Sequence, residues 1–303
     1  MKRLNELHAL LGERFKSFYK KLGNPTDLYD PISYIIGLGG KRIRPAMVLA
    51  SYKLFKDKIS EDALKLAECV EMFHNFTLMH DDIMDNANLR RGKETVHIKW
   101  NIPTAILSGD LLQILVNQKL SEIGNLKVIQ LFNKMAIELC EGQMNDTLFE
   151  ELEYVSNDDY LNMIRQKTAV LLGFSLQAGA ILGGASKKDS QQLYNLGISL
   201  GLSFQLMDDY LDTYGSKAKV GKRIGGDILE KKKTYLWNEM WGSISKKEQY
   251  ELLEANHTEE EEEEETITRV RSKMSETQSD VKTLALADSY TKESLELLTN
   301  LEI

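Results

Sequence analysis

Apolar side chains recur every three to four positions along most of the chain, the spacing that lines one face of an α-helix, and alternating β-branched runs are few. The prolines, Pro25, Pro31, Pro45 and Pro103, all fall before residue 104. Proline breaks helix interiors, so the rest of the chain is free to stay helical. The pattern predicts helices over 2–21, 27–38, 43–56, 61–88, 103–123, 126–151, 157–184, 188–215, 228–241, 246–255, 258–277 and 279–300. Thr258 reads as an N-cap with Glu261 at the capping-box position, so the acidic run Glu259–Glu265 is a solvated helix start. The N-terminal stretch MKRLNELHALLGERFKSFYKKL carries Glu6 and Glu13 and lacks the unbroken apolar core of a secretory signal, which makes it an ordinary amphipathic helix.

Two segments depart from amphipathicity. Thr168–Ser186 and Ser190–Met207 contain no charged residue, and their length alone would permit membrane spans. Both hold Gln, Ser and Gly, however, and the second runs straight into Asp208 and Asp209. A helix apolar all round is also what the centre of a large bundle requires, so burial is the expectation. No low-complexity linker divides the chain, and one domain over 1–303 is expected. Its 303 residues suffice for a large core. The net charge of −8 argues against a nucleic-acid partner bound through a basic surface. Cys69 and Cys140 lie in apolar helical patterns and imply a reducing compartment without a disulfide framework.

Chemistry concentrates in His74–Gly92, HNFTLMHDDIMDNANLRRG. Asp81 and Asp85 stand one turn apart on one helical face, Thr77 and His74 extend it, and Asp82 projects at its edge. Carboxylates this close repel one another. A solvated acidic face could carry them, but apolar Phe76, Leu78, Met79, Ile83 and Met84 put most of this helix inside. Crowded buried carboxylates need cations, and hard oxygen ligands suit Mg²⁺, which usually bridges to substrate phosphates. Arg90-Arg91 follows, and arginine suits bidentate phosphate contact. A second cluster, FQLMDDYLD, repeats the arrangement with Gln205, Asp208 and Asp212 on one face and Asp209 beside them. Gly39-Gly40-Lys41-Arg42-Ile43-Arg44-Pro45 opens a helix with cations at its anion-attracting end. Lys167-Thr168 places an ammonium beside a long uncharged segment, an expensive position without a partner. Gln143 and Asp146, one turn apart, read as structural residues, and His97 and Trp100 as packing residues.

The order GGKRIRP, HDDIMD with LRRG, EGQMND, KT, FQLMDDYLD and GKRIGGD resembles the trans-isoprenyl diphosphate synthases, the polyprenyl synthetase family, over roughly residues 35 to 240. The resemblance implies an all-α fold, a single large helical bundle around a deep central cavity, paired as a homodimer in the cytoplasm. It implies condensation of isopentenyl diphosphate with an allylic diphosphate (dimethylallyl, geranyl or farnesyl) and a requirement for Mg²⁺, about three ions with the bound diphosphate. By the same resemblance Asp81, Asp82, Asp85, Asp208, Asp209 and Asp212 hold the metal and face each other across the cavity. Arg90, Lys167 and Lys222 contact the allylic diphosphate, with Thr168, Gln205 and Lys232 nearby. Lys41, Arg44, His74 and Arg91 form the isopentenyl diphosphate pocket. Metal and cations stabilise the departing diphosphate, and the allylic cation is then attacked by the isopentenyl double bond. The end of the chain, Leu301-Glu302-Ile303, lacks the basic terminus that some relatives fold over the site.

Product length is expected to be set below the first acidic motif. The growing tail runs down the helix carrying Asp81, at about 1.5 Å per residue. Thr77, one turn below Asp81, leaves the channel open, whereas Phe76 and Phe73 flank it and can narrow it. Relatives that stop at farnesyl length without an insertion carry aromatics at both the fourth and fifth positions before the motif. Here only the fifth is aromatic, which favours geranylgeranyl diphosphate over farnesyl diphosphate. A longer-chain synthase, a terpene cyclase and a non-catalytic partner subunit are the other readings. A cyclase needs no isopentenyl site such as GGKRIRP, and partner subunits usually lose aspartates that this chain keeps.

Overall fold

The computed structural model describes residues 2–19, 23–215, 224–254 and 260–301. They form helices α1 (Lys2–Tyr19), α2 (Thr26–Gly37), α3 (Ile43–Lys53), α4 (Glu61–Met84), α5 (Val96–Lys99), α6 (Ile102–Ile123), α7 (Leu126–Glu150), α8 (Asn157–Ile164), α9 (Val170–Gly183), α10 (Lys187–Tyr214), α11 (Gly226–Leu229), α12 (Tyr235–Ser243), α13 (Lys246–Glu254), α14 (Glu260–Glu276) and α15 (Ser279–Thr299). A two-stranded hairpin, β1 (Leu89–Arg90) with β2 (Lys93–Glu94), and a π-helical turn at Arg165–Ala169 complete them. The all-α expectation therefore holds. Thr258 and Glu259 lie outside the described residues, as does Lys222.

One domain is expected from the sequence; packing divides the chain into two compact units. The first comprises residues up to Asn133 with Phe174–Tyr194, and the second Lys134–Gly173 with Asn195–Leu301. In the first unit α4 is the central helix. Ser60 caps its N-terminus by accepting from the Ala63 amide at 3.2 Å. It runs against α6, where Gly109 lies under the His80 ring: a Cβ there would come within 2.3 Å of Nε2. On the other side α9 packs on α3 through Gly179, whose added Cβ would meet the Val48 carbonyl oxygen at 2.2 Å. Residues Ala169–Ala180 are buried throughout, so most of the first uncharged stretch is bundle interior, whereas the second, Ser190–Met207, is buried on one side only and exposes Gln191, Asn195 and Phe204. No helix among the described residues is long and apolar enough to cross a membrane.

The second unit has two apolar clusters. One joins α11, α12, α13 and α14 through Ile228, Trp237, Met240, Trp241, Leu252, Val270 and Met274. The other gathers Val155, Tyr160, Met163, Ile164, Ala169, Leu202 and Leu206 between α8 and α10.

The elements depart from the periodic pattern at several points, among them the following, each for a local reason. α4 stops at Met84 rather than 88 because Asn86 takes positive φ (49°) after the Asp85 cap, a left-handed termination that asparagine tolerates. Arg91 and Gly92 both take positive φ (53° and 73°), as a two-residue hairpin turn requires, and they pair Arg90 with Lys93. The segment 228–241 splits because Lys231 has positive φ and Thr234 caps a new helix, accepting from the Trp237 amide.

Candidate active site

In the first unit, α4 carries Glu71, His74, Asp81 and Asp82 and ends on Asp85. Asp82 is buried, Asp81 half-buried and Asp85 exposed. The hairpin folds Arg90 back onto this helix. Its Nε donates to both Asp82 oxygens at 2.9 and 2.8 Å, and Nη2 lies 2.7 Å from Oδ1. Asp82, expected on the metal, and Arg90, expected on the diphosphate, therefore hold each other.

The glycine turn meets the same helix. Arg44 Nη1 lies 3.2 Å from His74 Nε2. A guanidinium only donates, so Nε2 accepts and the imidazole proton sits on Nδ1. Burial, then Arg44, Arg91 and Arg90, push the His74 pKa well below its ordinary value, which keeps the ring neutral near pH 7. Burial, opposed by Glu71 and aided by Arg91, lowers Arg44 to about 10. Glu71 is buried, and that burial raises its carboxyl against the pull of Arg44, Arg42 and Arg91. Gly40 takes φ 140°, and a Cβ there would come within 2.8 Å of the Arg91 guanidinium, so glycine lets the arginine pack on the turn. Lys41 is exposed. Thus Arg44, His74 and Arg91 do converge, on a buried carboxylate that sequence patterning did not single out.

Phe73 is fully buried and stacks edge-on against Phe132, which stacks on Phe174. It is a packing residue of this unit. Phe76, against His80 at 4.8 Å, and Thr77, whose hydroxyl donates to the His74 carbonyl, both keep partial exposure.

The second unit holds a cavity of about 170 Å³. Asp208, Asp209, Asp212 and Asp227 line it together with Lys167, Thr168, Gln205, Lys232 and Lys233. Lys167 and Thr168 sit on the π-helical turn, a feature that often marks functional positions. Two helices squeeze this region. On α7, a Cβ on Gly142 would meet the Lys167 amide nitrogen at 2.5 Å; on α10, one on Gly201 would meet Ala169 Cα at 2.5 Å. Buried Gln166 anchors the turn, donating to Glu141 at 3.1 Å and accepting from Asn145 at 3.3 Å. Arg165 reaches Glu138 at 2.8 Å. Lys167 pairs with Asp146, so the ammonium beside the uncharged segment has its counterion and Asp146 is a site residue.

Asp208 is exposed, whereas Asp209 is buried beneath it. Burial, with Asp227 and Asp208 adding and Tyr160 and Gln205 opposing, pushes Asp209 up to about 7. Burial and then Asp212 push Asp227 up to about 6. The Asp227 amide donates to Asp212 Oδ1 at 3.0 Å, and Lys232 lies 3.7 Å from Asp227. Tyr160 and Asp227 are site residues that patterning missed. Tyr160 stands seven positions before Lys167 on the apolar face of the amphipathic helix NDDYLNMI, where it reads as an ordinary core residue, and Asp227 belongs to the quoted GKRIGGD without an assigned role. Among the described residues no group of three or more carboxylate, histidine or cysteine side chains is gathered closely enough to hold a metal ion.

Comparison with known proteins gives the family. The Polyprenyl synthetase family model matches residues 25–274, and the chain belongs to that family. It is 41% identical over 230 residues to the short chain isoprenyl diphosphate synthase of Methanocaldococcus jannaschii, covering 75% of this chain and 69% of that one. It is 40% identical to the geranylgeranyl pyrophosphate synthase of Geoglobus acetivorans, over 75% and 72% of the two chains. A crystal structure of a geranylgeranyl pyrophosphate synthase superposes with TM-score 0.92 at 42% identity, covering 99% of this chain and 93% of the other.

Proposed function

We propose that this chain is a Mg²⁺-dependent prenyltransferase that condenses isopentenyl diphosphate with an allylic diphosphate and releases geranylgeranyl diphosphate. The observation that carries the reading is the cavity of the second unit, where Asp208, Asp209, Asp212 and Asp227 line the same space as Lys167, Lys232 and Lys233. An all-oxygen acidic donor set of this kind fits Mg²⁺. In this reading Asp208 and Asp212 hold metal in the second unit, and Asp81 and Asp85 hold metal on the first motif in the first unit. Asp82 and Asp209 act through their protein partners. Bound metal supplies Lewis-acid stabilisation of the leaving diphosphate.

The chain's own residues do the rest. Lys167 and Lys232 neutralise the allylic diphosphate, and Thr168 and Gln205 orient it. Phe149, Met163 and Ile164 make part of the cavity wall apolar, which strengthens every charge interaction inside it. Arg44, neutral His74, Lys41 and Arg91 receive isopentenyl diphosphate. Arg44→Ala should therefore raise KM for isopentenyl diphosphate at least tenfold more than KM for the primer in steady-state assays. Equal effects on both substrates would reassign the pocket.

The reading extends to a cytoplasmic homodimer. Exposed Ile106, Leu107 and Ile114 on α6 form apolar surface that a second copy would cover, and Cys69 and Cys140, which form no disulfide with each other, suit a reducing compartment.

The activity test is incubation of the protein with Mg²⁺, labelled isopentenyl diphosphate and each allylic primer, followed by chromatography of the dephosphorylated products. Geranylgeraniol is expected. No elongated product from any primer would refute the synthase reading, whereas farnesol alone would replace only the chain length. Thr77→Phe should shorten the product and Phe76→Ala should lengthen it; unchanged distributions in both would move the floor of the channel away from α4.

A further inference from the structure

Four polar side chains in the second unit form one continuous hydrogen-bonded line. The Tyr160 hydroxyl on α8 donates to Asp209 Oδ2 on α10. Asp209 Oδ1 accepts from Gln205 Nε2 at 2.9 Å, one turn earlier on the same helix. Gln205 Oε1 accepts from the Thr168 hydroxyl at 3.1 Å on the π-helical turn. With Asp209 ionised, every direction along the line is determined. A carboxylate accepts, so the Gln205 amide must turn its nitrogen toward Asp209 and its oxygen toward Thr168. The Thr168 hydroxyl must then donate. All four residues line the cavity, but they differ in exposure. Tyr160 and Asp209 are 3% and 5% exposed, while Gln205 and Thr168 are the half-open members. The buried pair is the fixed end and the other pair the end a ligand meets.

The Tyr160 ring is itself held among Val155, Met163, Ile164, Leu202 and Leu206, so its hydroxyl has little freedom to leave Asp209. A carboxylate with a donor on each oxygen cannot swing about its terminal torsion without breaking one of them. Removing the Tyr160 donor frees that rotation, and the polarity of Gln205 and Thr168 is no longer specified. Burial makes the cost of an unsatisfied oxygen here larger than at the surface.

We infer that Tyr160 is a positioning residue for the transfer reaction: acting through Asp209, its hydroxyl sets the orientation of the Gln205 amide and Thr168 hydroxyl at the cavity wall. The inference rests on the proposed prenyltransferase function and adds a residue that acts through Asp209.

The experiment is a double-mutant cycle on the full chain with Tyr160→Phe, Asp209→Asn and the pair, read by kcat, by KM for each substrate and by the thermal midpoint. Tyr160→Phe keeps the ring and its packing. The expected result is a kcat about tenfold or more below wild type, with KM for isopentenyl diphosphate within about twofold. In the Asp209→Asn background the same substitution should cost nothing further, because residues acting in one line are not additive. Wild-type kcat in Tyr160→Phe, or equal losses in both backgrounds, would overturn the inference. If Tyr160→Phe does not fold, Gln205→Leu breaks the same line at its half-open end and should lower kcat alike; wild-type kcat there overturns it too. Absence of prenyl transfer by the wild-type protein would refute the underlying function, whereas an active wild type matched by Tyr160→Phe removes only this role.

Discussion

Asp208→Ala should lower kcat by about a hundred- to a thousandfold, and Asp81→Ala in the first unit should do the same, with the KM for each substrate changed far less. Asp208 is an exposed carboxylate of the cavity, in contrast to Asp209 beneath it. Its removal leaves Lys167, Lys232 and Lys233 in place, so ground-state attraction for a diphosphate persists. What is lost is the charge that holds a cation against the leaving group as negative charge develops on it. An interaction made chiefly in the transition state shows in kcat rather than in KM. Chelating the divalent ion should abolish turnover of the wild-type enzyme, and restoring Mg²⁺ should recover it. Near-native kcat in either alanine variant with Mg²⁺ present would remove that aspartate from the metal set.

Gly142→Ala should destabilise the chain by about 1–3 kcal/mol and depress kcat. The added methyl would lie 2.5 Å from the Lys167 amide nitrogen and 2.7 Å from Gln166 Cβ. Neither can yield as the end of a flexible side chain would. Either α7 backs away from the π-helical turn or the turn itself shifts, and Lys167 and Thr168 ride on that turn. A misplacement near 1 Å at such groups is enough to slow a reaction about a hundredfold. Gly37→Ala is the matched control. Open space surrounds Gly37 at the end of α2, and relief of glycine's backbone entropy there should raise stability by up to about 1 kcal/mol. Thermal midpoints of the two variants should move in opposite directions. A Gly142→Ala protein as stable and active as wild type would show that the close approach of α7 is dispensable.

Much of the site was legible before any coordinates, because its signals are local. Two DDxxD runs on apolar helices, a glycine turn rich in cations and a lysine beside an uncharged stretch each occupy a few consecutive residues. Helical periodicity is equally local, since each backbone bond spans four positions, and it placed α1, α3, α6, α7 and α15 within a few residues. The burial of α9 followed from its composition. What patterning could not supply is whatever depends on partners distant in sequence. Tyr160 meets Asp209 across 49 positions and Thr168 meets Gln205 across 37, separations that leave no periodic trace. The division of work inside each acidic motif has the same origin. Helical phase puts Asp81 and Asp82, like Asp208 and Asp209, at different angles on their helices, but it does not say what each one meets. Packing buries one of each pair and gives it a fixed partner, Arg90 for Asp82 and Tyr160 with Gln205 for Asp209, while its neighbour keeps an open face. The π-helical turn lies where Gly142 and Gly201 admit two helices against one short segment. Residue type determined which groups could do the chemistry; close packing between distant segments decided which of them face it.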